Sequence, residues 1–385
     1  MKRKIEYLPV LIAASIFIIQ GCKKYESPPE CGGKLVTVTT QKILVTGLND
    51  PRGLKFGPDG NLYVAEAGVG GTNLSTTCAQ VVPPVGPYTG SDTGSRISMI
   101  DRNGIRTTVA DKLPSSTTAP TGGSAIQGVA DVQFIGNTLY GVLAGAGCSH
   151  GVPDIPNGIV KVNHDGTWKM VANCSEYLMT HPVSQIDPDD FEPDGTPYSM
   201  TSVGNDLYIT QPNQQEIDKI DPQTGHISRI VDISTLHPGT GGRWIGPTSM
   251  VYHNGDFYFG TLTPFPTVAG AASVYKLSAN GSYSVFASGF TAILGIAFDS
   301  DNRLYVLESI GIDSGTPGLG KIVRLDANGT VETIASGLNF PSAMTFGPDG
   351  SLYVSDWGIG PPGMGQIIKV SFKCEYVQPD MKSLN

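Results

Sequence analysis

The sequence predicts an all-β fold: a six-bladed β-propeller closed by an N-terminal strand that completes the last blade. Three observations predict it: a turn-rich composition, a short phrase that recurs six times, and a strand-like segment before the first repeat. The chain has 385 residues, of which 49 are glycine and 28 are proline, with no Gly-X-Y period. Both residues are unfavourable inside helices, whereas a β-meander needs them at its turns, so a helical bundle is excluded.

The composition also excludes some classes of function. Apolar residues make up 39% of the chain and charged residues 15%, which is typical of a folded protein and not of a disordered one. The net charge is −9, and Lys and Arg cluster only at the N-terminus. A negative protein repels a phosphate backbone, so we expect no nucleic-acid partner.

Residues 1–21 are predicted to be a lipoprotein signal peptide that is not part of the fold. Basic residues at 2–4 precede an apolar stretch over 8–19, which is too short to span a bilayer and is typical of a signal-peptide core. It ends in Ile-Gln-Gly-Cys, which resembles a bacterial lipobox with Cys22 as the lipidated residue. The alternative is plain secretion after cleavage at a small residue. Both alternatives predict export, and the first predicts an anchor in the cell envelope, either periplasmic or surface-exposed.

A repeated phrase defines the blades. Leu-Tyr or Phe-Tyr recurs six times, each time after a turn signal such as Gly-Pro-Asp-Gly at 57–60. One short apolar strand precedes each copy and two more follow it. Four antiparallel strands in each of six repeats predict a six-bladed β-propeller. The copies stand at 62–63, 139–140, 207–208, 257–258, 304–305 and 352–353.

The last repeat has no fourth strand of its own. It stops after its third strand, at Val370, but residues 42–48 read like an earlier fourth strand, 331–338. We therefore expect 42–48 to pair with 366–370, which closes the ring and removes exposed strand edges. The predicted organisation is a tether, one propeller and a C-terminal tail, over residues 22–33, 34–374 and 375–385.

The topology predicts that one face of the ring carries the function. Within each blade, the turns between strands 1 and 2 and between strands 3 and 4 are short. The segments between strands 2 and 3, and those that lead to the next blade, lie on the opposite face, which we call the long-loop face. Long loops on a rigid scaffold commonly carry binding sites. The long segments are 68–94, 145–157, 175–196, 235–246, 263–272, 309–320 and 357–365.

Segments spread over the chain carry a family resemblance. They are 47–54, 63–68, 193–198, 247–250, 265–272, 340–342 and 352–356. Together they resemble the ScyD/ScyE family, whose name comes from gene clusters for the cyanobacterial pigment scytonemin. The resemblance covers roughly residues 42–371. It implies a six-bladed propeller of the NHL type and implies no established chemistry.

Three carboxylates occupy the same position, at the end of the second strand, in blades 1, 5 and 6. They are Glu66, Glu308 and Asp356. These blades are neighbours in the ring, so the acids could form an arc at the channel mouth that holds Ca²⁺ or Mg²⁺. Arg52 could neutralise part of this arc, and Asp131 could join it from a channel-lining position in blade 2. The alternative is that the three acids cap strand ends and that Asp131 binds backbone groups in the channel.

Two further motifs lack the context that their chemistry needs. The acidic run over 187–195 cannot be an EF-hand loop, because Phe191 interrupts it and no closing Glu follows. It is either a looser calcium site or a solvated loop. The Gly-x-Ser-x-Gly pattern at 147–151 lies between two strands of a blade and not on a strand-to-helix turn.

The cysteines predict disulfides, because an exported chain folds in an oxidising compartment. Cys31 precedes the closing strand and Cys374 follows the last strand, so a bond between them would staple the ring. Cys78 and Cys148 lie in equivalent loops of adjacent blades and could form a second bond, which leaves Cys174 free in an outer strand. The alternative is that all five thiols are reduced and buried.

We therefore expect an exported, lipid-anchored monomer that binds a small molecule or an envelope protein through its long-loop face. The alternative is a metal-assisted hydrolase, lactonase or lyase that uses Glu66, Glu308 and Asp356, with Arg52 as the partner of an oxyanion or carboxylate. The residues contain no complete catalytic motif, so the sequence leaves open whether the chain is an enzyme. Propellers host both classes.

Overall fold

The computed structural model describes residues 35–376, except 82, 84, 119–124, 189–190, 238–243, 264–265, 313 and 327–328. Six small antiparallel sheets in this part of the chain form a six-bladed β-propeller, as the repeats predict. The predicted signal peptide with Cys22, the tether with Cys31, and residues 377–385 of the predicted tail lie outside the described residues.

Each sheet is one blade, and its strands follow one another in sequence order. Blade 6 alone borrows a strand from the N-terminal side, β1 (Leu35–Leu48). Blade 1 contains β2 (Pro51–Phe56), β3 (Leu62–Glu66), β4 (Thr89–Ile100), β5 (Arg106–Thr117) and β6 (Ile126–Gln127). Blade 2 contains β7 (Val129–Ile135), β8 (Thr138–Leu143), β9 (Gly158–Val162) and β10 (Trp168–Asn173).

The remaining four blades follow the same order. Blade 3 contains β11 (Met200–Val203), β12 (Asp206–Gln211), β13 (Glu216–Ile220) and β14 (Ile227–Asp232). Blade 4 contains β15 (Gly246–His253), β16 (Asp256–Leu262), β17 (Ala272–Leu277) and β18 (Tyr283–Phe290). Blade 5 contains β19 (Ile293–Phe298), β20 (Leu304–Glu308), β21 (Gly320–Leu325) and β22 (Val331–Leu338). Blade 6 contains β23 (Ala343–Phe346), β24 (Leu352–Asp356), β25 (Gly365–Tyr376) and the borrowed β1.

The ring closes through β1 and β25, as predicted from residues 42–48. The two strands are antiparallel, and their register runs from Leu48↔Gly365 to Leu35↔Tyr376. The pairing is longer than predicted, because β25 continues past Val370 and β1 begins before Lys42. Blade 1 differs from the prediction in another way, since β6 adds a fifth short strand beside β5.

The recurring tyrosine explains why the phrase repeats. In four blades its ring packs edge-on against a phenylalanine in the first strand of the next blade. Such aromatic pairs stabilise a fold by about 0.5–1.5 kcal/mol beyond the area that they bury. In these blades the phrase therefore supplies a contact to the neighbouring blade. The pairs are Tyr63 with Phe134, Tyr258 with Phe298, Tyr305 with Phe346, and Tyr353 with Phe56, at centroid distances of 4.9, 4.8, 5.1 and 4.9 Å.

One short helix interrupts the β pattern. Helix α1 (Cys174–Thr180) follows β10, and the Asn173 side chain accepts a hydrogen bond from the Glu176 backbone at its N-terminus. Cys174 is therefore not in an outer strand, as predicted, but begins α1, where it is buried and free. The physical reason is the cap, which satisfies a helical N–H that a strand would direct to a neighbour. Among the described residues, no helix has the length and apolar character needed to cross a bilayer.

A disulfide links the long loops of blades 1 and 2. Cys78 and Cys148 form the bond, as predicted, and it places both loops on the same face of the ring. Cys374 is also disulfide-bonded. Because Cys31 lies outside the described residues, its pairing with Cys374 stays a prediction.

Removal of the Cys78–Cys148 bond should lower the free energy of unfolding by about 2–4 kcal/mol, because the bond closes a long loop in the unfolded chain. The variants Cys78→Ser and Cys148→Ser and the double variant should lose equal stability, since the same bond is absent in all three. Urea denaturation followed by circular dichroism measures the loss. An unchanged denaturation midpoint in the double variant contradicts the prediction.

Candidate functional site

The three predicted carboxylates share one construction. Glu66, Glu308 and Asp356 are the last residues of β3, β20 and β24. Each accepts a hydrogen bond from a backbone N–H seventeen residues earlier, on the segment that enters the same blade. The donors are Asn49 for Glu66 (2.8 Å), Thr291 for Glu308 (2.7 Å) and Asn339 for Asp356 (2.5 Å). Each also contacts a third-strand side chain, namely Arg96, Lys321 and Gln366 respectively.

The carboxylate of Glu66 is hydrogen-bonded to several groups of its own blade. Its buried carboxylate accepts two hydrogen bonds from Arg96, both 2.9 Å long, and one of 2.5 Å from the Ser98 hydroxyl. Arg106 lies 3.7 Å from the same group. Loss of such partners from a buried carboxylate strongly destabilises the folded state. Glu66 therefore stabilises blade 1 through these contacts.

The structure does not bring the three acids together. Each carboxylate turns along its own sheet, because its donors lie in the same blade. Within the described part of the chain, no group of three or more His, Cys, Asp or Glu side chains is arranged to hold a metal ion. Arg52 does not neutralise them either, since its guanidinium donates to the Ile126 carbonyl at 2.6 Å.

Asp131 lies instead in the narrow central channel. A cavity of about 30 Å³ in this channel is lined by first-strand residues of five blades and by Ser199, which directly precedes β11 of blade 3. Asp131 Oδ2 accepts a hydrogen bond from the Met200 backbone N–H at 2.7 Å, and Asp131 Oδ1 accepts one from the Val132 backbone N–H at 2.8 Å. Gly53 makes room for it, because a Cβ there would lie 1.9 Å from Oδ1. Burial raises the pKa of Asp131 to about 6, although Lys55 opposes the shift.

A side-chain hydrogen bond spans the channel near the long-loop face. Tyr198 of blade 3 donates its hydroxyl to the Ser342 carbonyl of blade 6, on the opposite side of the ring, at 2.9 Å. The Arg52 side chain is bonded to the same hydroxyl. Beside them, burial raises the pKa of Asp50 to about 7, against the opposing charge of Arg52. The channel is therefore filled by its own side chains at this level.

Glu192 and Asp194 of the acidic run over 187–195 are buried and not solvated. Glu192 accepts a hydrogen bond from the Tyr88 hydroxyl at 3.2 Å and lies 3.6 Å from His150 Nε2. Asp194 accepts from the Ser149 hydroxyl at 2.6 Å and from the Ser149 backbone at 2.7 Å. All five residues are buried. The run therefore fixes the long loops of blades 1 and 2 to the connection that enters blade 3.

Ser149 has no access to a substrate. It lies in a short 3-10 turn, Cys148–His150, and its side chain is fully buried. Its hydroxyl contacts Asp194 and, at 3.4 Å, His150 Nδ1. The Gly-x-Ser-x-Gly pattern at 147–151 is thus part of the buried polar network.

The long-loop face contains a cavity that the sequence did not predict. It has a volume of about 220 Å³ and lies between α1, the connection to β11 and the turn after β12. Met179 and Ile186 form its rim, with exposed fractions of 64% and 48%, whereas Leu178 and Gln214 on its floor are buried. Its walls are mostly apolar. We call it the α1 cavity.

The local signal for α1 is present in the sequence. Asn173 followed three residues later by Glu176 resembles a capping box in spacing. Asn173 Oδ1 accepts from the Glu176 backbone N–H, and Asn173 Nδ2 donates to the Glu176 carboxylate. The long insertion in this repeat was nevertheless expected to be a loop. The cavity walls could not be predicted without the helix.

A buried acid pair and an arginine hold α1 in place. Arg229 bonds to Glu216 and donates to the carbonyls of His181 and Pro182, at the end of the helix. Burial raises the pKa of Glu216 to about 7, and burial together with Glu216 raises that of Asp218 well above its usual range. A proton on either acid would avoid two adjacent buried charges.

No protein-family model and no curated protein sequence matches the chain. Solved structures match its fold. A gluconolactonase from Xanthomonas campestris aligns with a TM-score of 0.53 and 11% identity over 90% of this chain and 97% of its own. A Thermus thermophilus protein assigned as an oxidoreductase (glucose dehydrogenase) aligns with a TM-score of 0.50 and 17% identity, over 86% and 99%. At these identities the similarity shows the propeller fold and not an activity.

Proposed function

We propose that the protein is an exported, lipid-anchored propeller, of the ScyD/ScyE type, that binds a small molecule on its long-loop face at the bacterial envelope. The α1 cavity is the observation that carries this proposal. Its volume is about 220 Å³, and an apolar cavity of about 150 Å³ holds benzene. The cavity therefore has room for a molecule with one ring. We propose further that the chain acts as a monomer.

The frame around the cavity supports a preformed site. Gln214 on its floor donates to the Glu192 carbonyl, and Glu192 belongs to the buried network under the long loops. Arg229 holds the end of α1 from the other side. A site that is already ordered loses less entropy when it binds. The Cys78–Cys148 disulfide is consistent with an oxidising compartment, as export requires.

Binding is favoured over metal-assisted hydrolysis by the contacts of the carboxylates. Glu66, Glu308 and Asp356 are each used within their own blades, and a metal would have to displace those contacts. The gluconolactonase similarity is one of fold. Stoichiometric Ca²⁺ or Mg²⁺ in the purified protein, removed by a chelator with loss of an activity, would count against this proposal.

The anchor is tested by the variant Cys22→Ala. Without the lipidated thiol, the protein should move from the membrane fraction to the soluble fraction of the envelope, because the anchor is covalent and no second membrane attachment is proposed. Cell fractionation with immunoblotting measures this. Cys174→Ala, outside the lipobox, should stay in the membrane fraction. Unchanged fractionation of Cys22→Ala refutes the anchor.

The site is tested with toluene as a probe. Toluene should raise the melting temperature of the wild-type protein, since it binds the folded state. Ile186→Trp places a large side chain at the rim and should abolish the shift. Ile105→Trp makes the same change at another exposed position, in a turn away from the cavity, and should keep the shift. No shift in the wild-type protein, or an equal shift in Ile186→Trp, refutes the site.

A further inference from the structure

The outer strand of blade 4, β18, differs in composition from the fourth strands of the other blades. Residues 277–298, which include β18, contain no Asp, Glu, Lys or Arg. The fourth strand of every other blade carries at least one charged residue, such as Lys42 in β1, Asp111 in β5, Lys169 in β10, Arg229 in β14 and Glu332 in β22. Charged side chains on an edge strand hinder its pairing with another chain. β18 lacks this protection.

The other fourth strands are also approached by the element that follows them around the ring. A glycine in the next blade, between its third and fourth strands, lies so close that a Cβ built there would be within 3.0 Å of a fourth-strand carbonyl oxygen. β22 is approached by β1 instead, since Thr39 donates to the Ile334 carbonyl at 2.7 Å. The edges of these strands are therefore partly covered. The glycines and carbonyls are Gly104 with Leu44, Gly166 with Val109, Gly225 with Val171, and Gly281 with Ile230.

The edge of β18 is open toward blade 5. The equivalent glycine of blade 5 is Gly329, and a Cβ built on it would meet no described atom within 4 Å. β18 is the last strand of its sheet, so no described strand pairs with its outer side. The side chains of Val285, Phe286 and Tyr283 on this strand are 56%, 44% and 37% exposed. The edge therefore combines unpaired backbone groups with exposed apolar side chains.

These two properties indicate which kind of partner fits the edge. An extended segment of another protein pairs with such an edge, because it adds one more strand to the sheet through backbone hydrogen bonds. Charged side chains in that segment would lose hydration without meeting an opposite charge on β18. The register of β18 against β17 shifts between Ala272 and Ser273 and again between Val274 and Tyr275, and such bulges bend a strand. A flexible segment can follow a bent edge, whereas a second rigid copy of this strand would pair over a shorter length.

We propose that the outer edge of β18 is a docking site for an extended, uncharged segment of another protein, which adds a fifth strand to blade 4. Its backbone pairs with β18, and its apolar side chains lie beside Val285, Phe286 and Tyr283. This surface is separate from the α1 cavity, so the inference goes beyond the proposed small-molecule site.

The probe is a capped, uncharged heptapeptide, Ser-Val-Ser-Tyr-Ser-Val-Ser. It should bind the wild-type protein and slow amide hydrogen exchange in residues 283–290. Val285→Lys places a charge on the edge and should weaken binding at least about tenfold. Ile43→Lys makes the same change at a position of β1 that is 50% exposed, and it should bind the peptide like the wild-type protein. Isothermal titration calorimetry gives the dissociation constants.

A second peptide tests the backbone pairing without any substitution, so the inference stays testable if Val285→Lys does not fold. It has the same side chains but a methyl group on every backbone nitrogen, and it should not bind, because it has no N–H to donate. If neither peptide binds, if both bind equally, or if Val285→Lys binds like the wild-type protein, the inference is overturned while the α1 site stands. A wild-type dimer in sedimentation velocity that Val285→Lys dissociates would assign the edge to a second copy and would also overturn it.

Discussion

Leu48→Ala is expected to lower the free energy of unfolding by roughly 2–5 kcal/mol, because it leaves a cavity where the ring closes. Leu48 is fully buried at the end of β1, in a cluster with Leu54 of blade 1 and Ile367 of blade 6. The loss acts on closure itself, since β25 otherwise presents an unpaired edge. Urea denaturation followed by tryptophan fluorescence measures it.

A matched control lies in the same strand. Ile43→Ala also removes apolar atoms from β1, but Ile43 is 50% exposed and its loss should cost less than about 1 kcal/mol. Equal losses in the two variants would mean that strand propensity, and not burial between blades 6 and 1, sets the stability of the closure.

Stability is expected to fall as the pH rises from about 5 to 8. Burial raises the pKa of Asp50 and of Glu216 to about 7 and that of Asp131 to about 6, and it raises the pKa of Asp218 as well. These groups bind a proton more tightly in the folded state. The stability that they contribute is complete below their unfolded pKa, near 4, and is lost as the pH passes the folded value. For Glu216, the rise from 4.5 to about 7 corresponds to about 3 kcal/mol.

Below about pH 5, a second set of acids makes the free energy of unfolding change in the opposite direction. Hydrogen bonds within turns lower the pKa of Asp101, Asp165 and Asp221, which lie in the turns between the third and fourth strands of blades 1, 2 and 3. Their contribution is present above the unfolded pKa and is lost as the pH falls through the folded value. The free energy of unfolding should therefore be greatest near pH 5.

Denaturation in urea at pH 5, 6, 7 and 8 checks this profile. Asp218→Asn removes one member of the buried pair, so it should flatten the fall between pH 5 and 8. Asp111→Asn, at an exposed position, should leave the slope as in the wild-type protein. A free energy of unfolding that is constant or that rises from pH 5 to 8 contradicts the prediction.

The candidate site was only partly predictable. The positions of Glu66, Glu308 and Asp356 at second-strand ends follow from the repeat and are correct. The direction of their side chains does not follow, because each turns toward an N–H seventeen residues away that the repeat does not mark as a donor. A shared sequence position therefore predicted a shared location in each blade but not a shared metal site.

Six copies of one phrase, a turn after each strand and a displaced strand that completes the last blade are enough to predict the ring. These features are local and periodic, because each blade repeats the same Leu-Tyr or Phe-Tyr phrase in its second strand. The place at which the long-loop face opens depends instead on the folded arrangement. The α1 cavity depends on contacts between segments far apart in the chain, such as Gln214 with Glu192 and Ser149 with Asp194, and such pairings have no period that a single sequence displays.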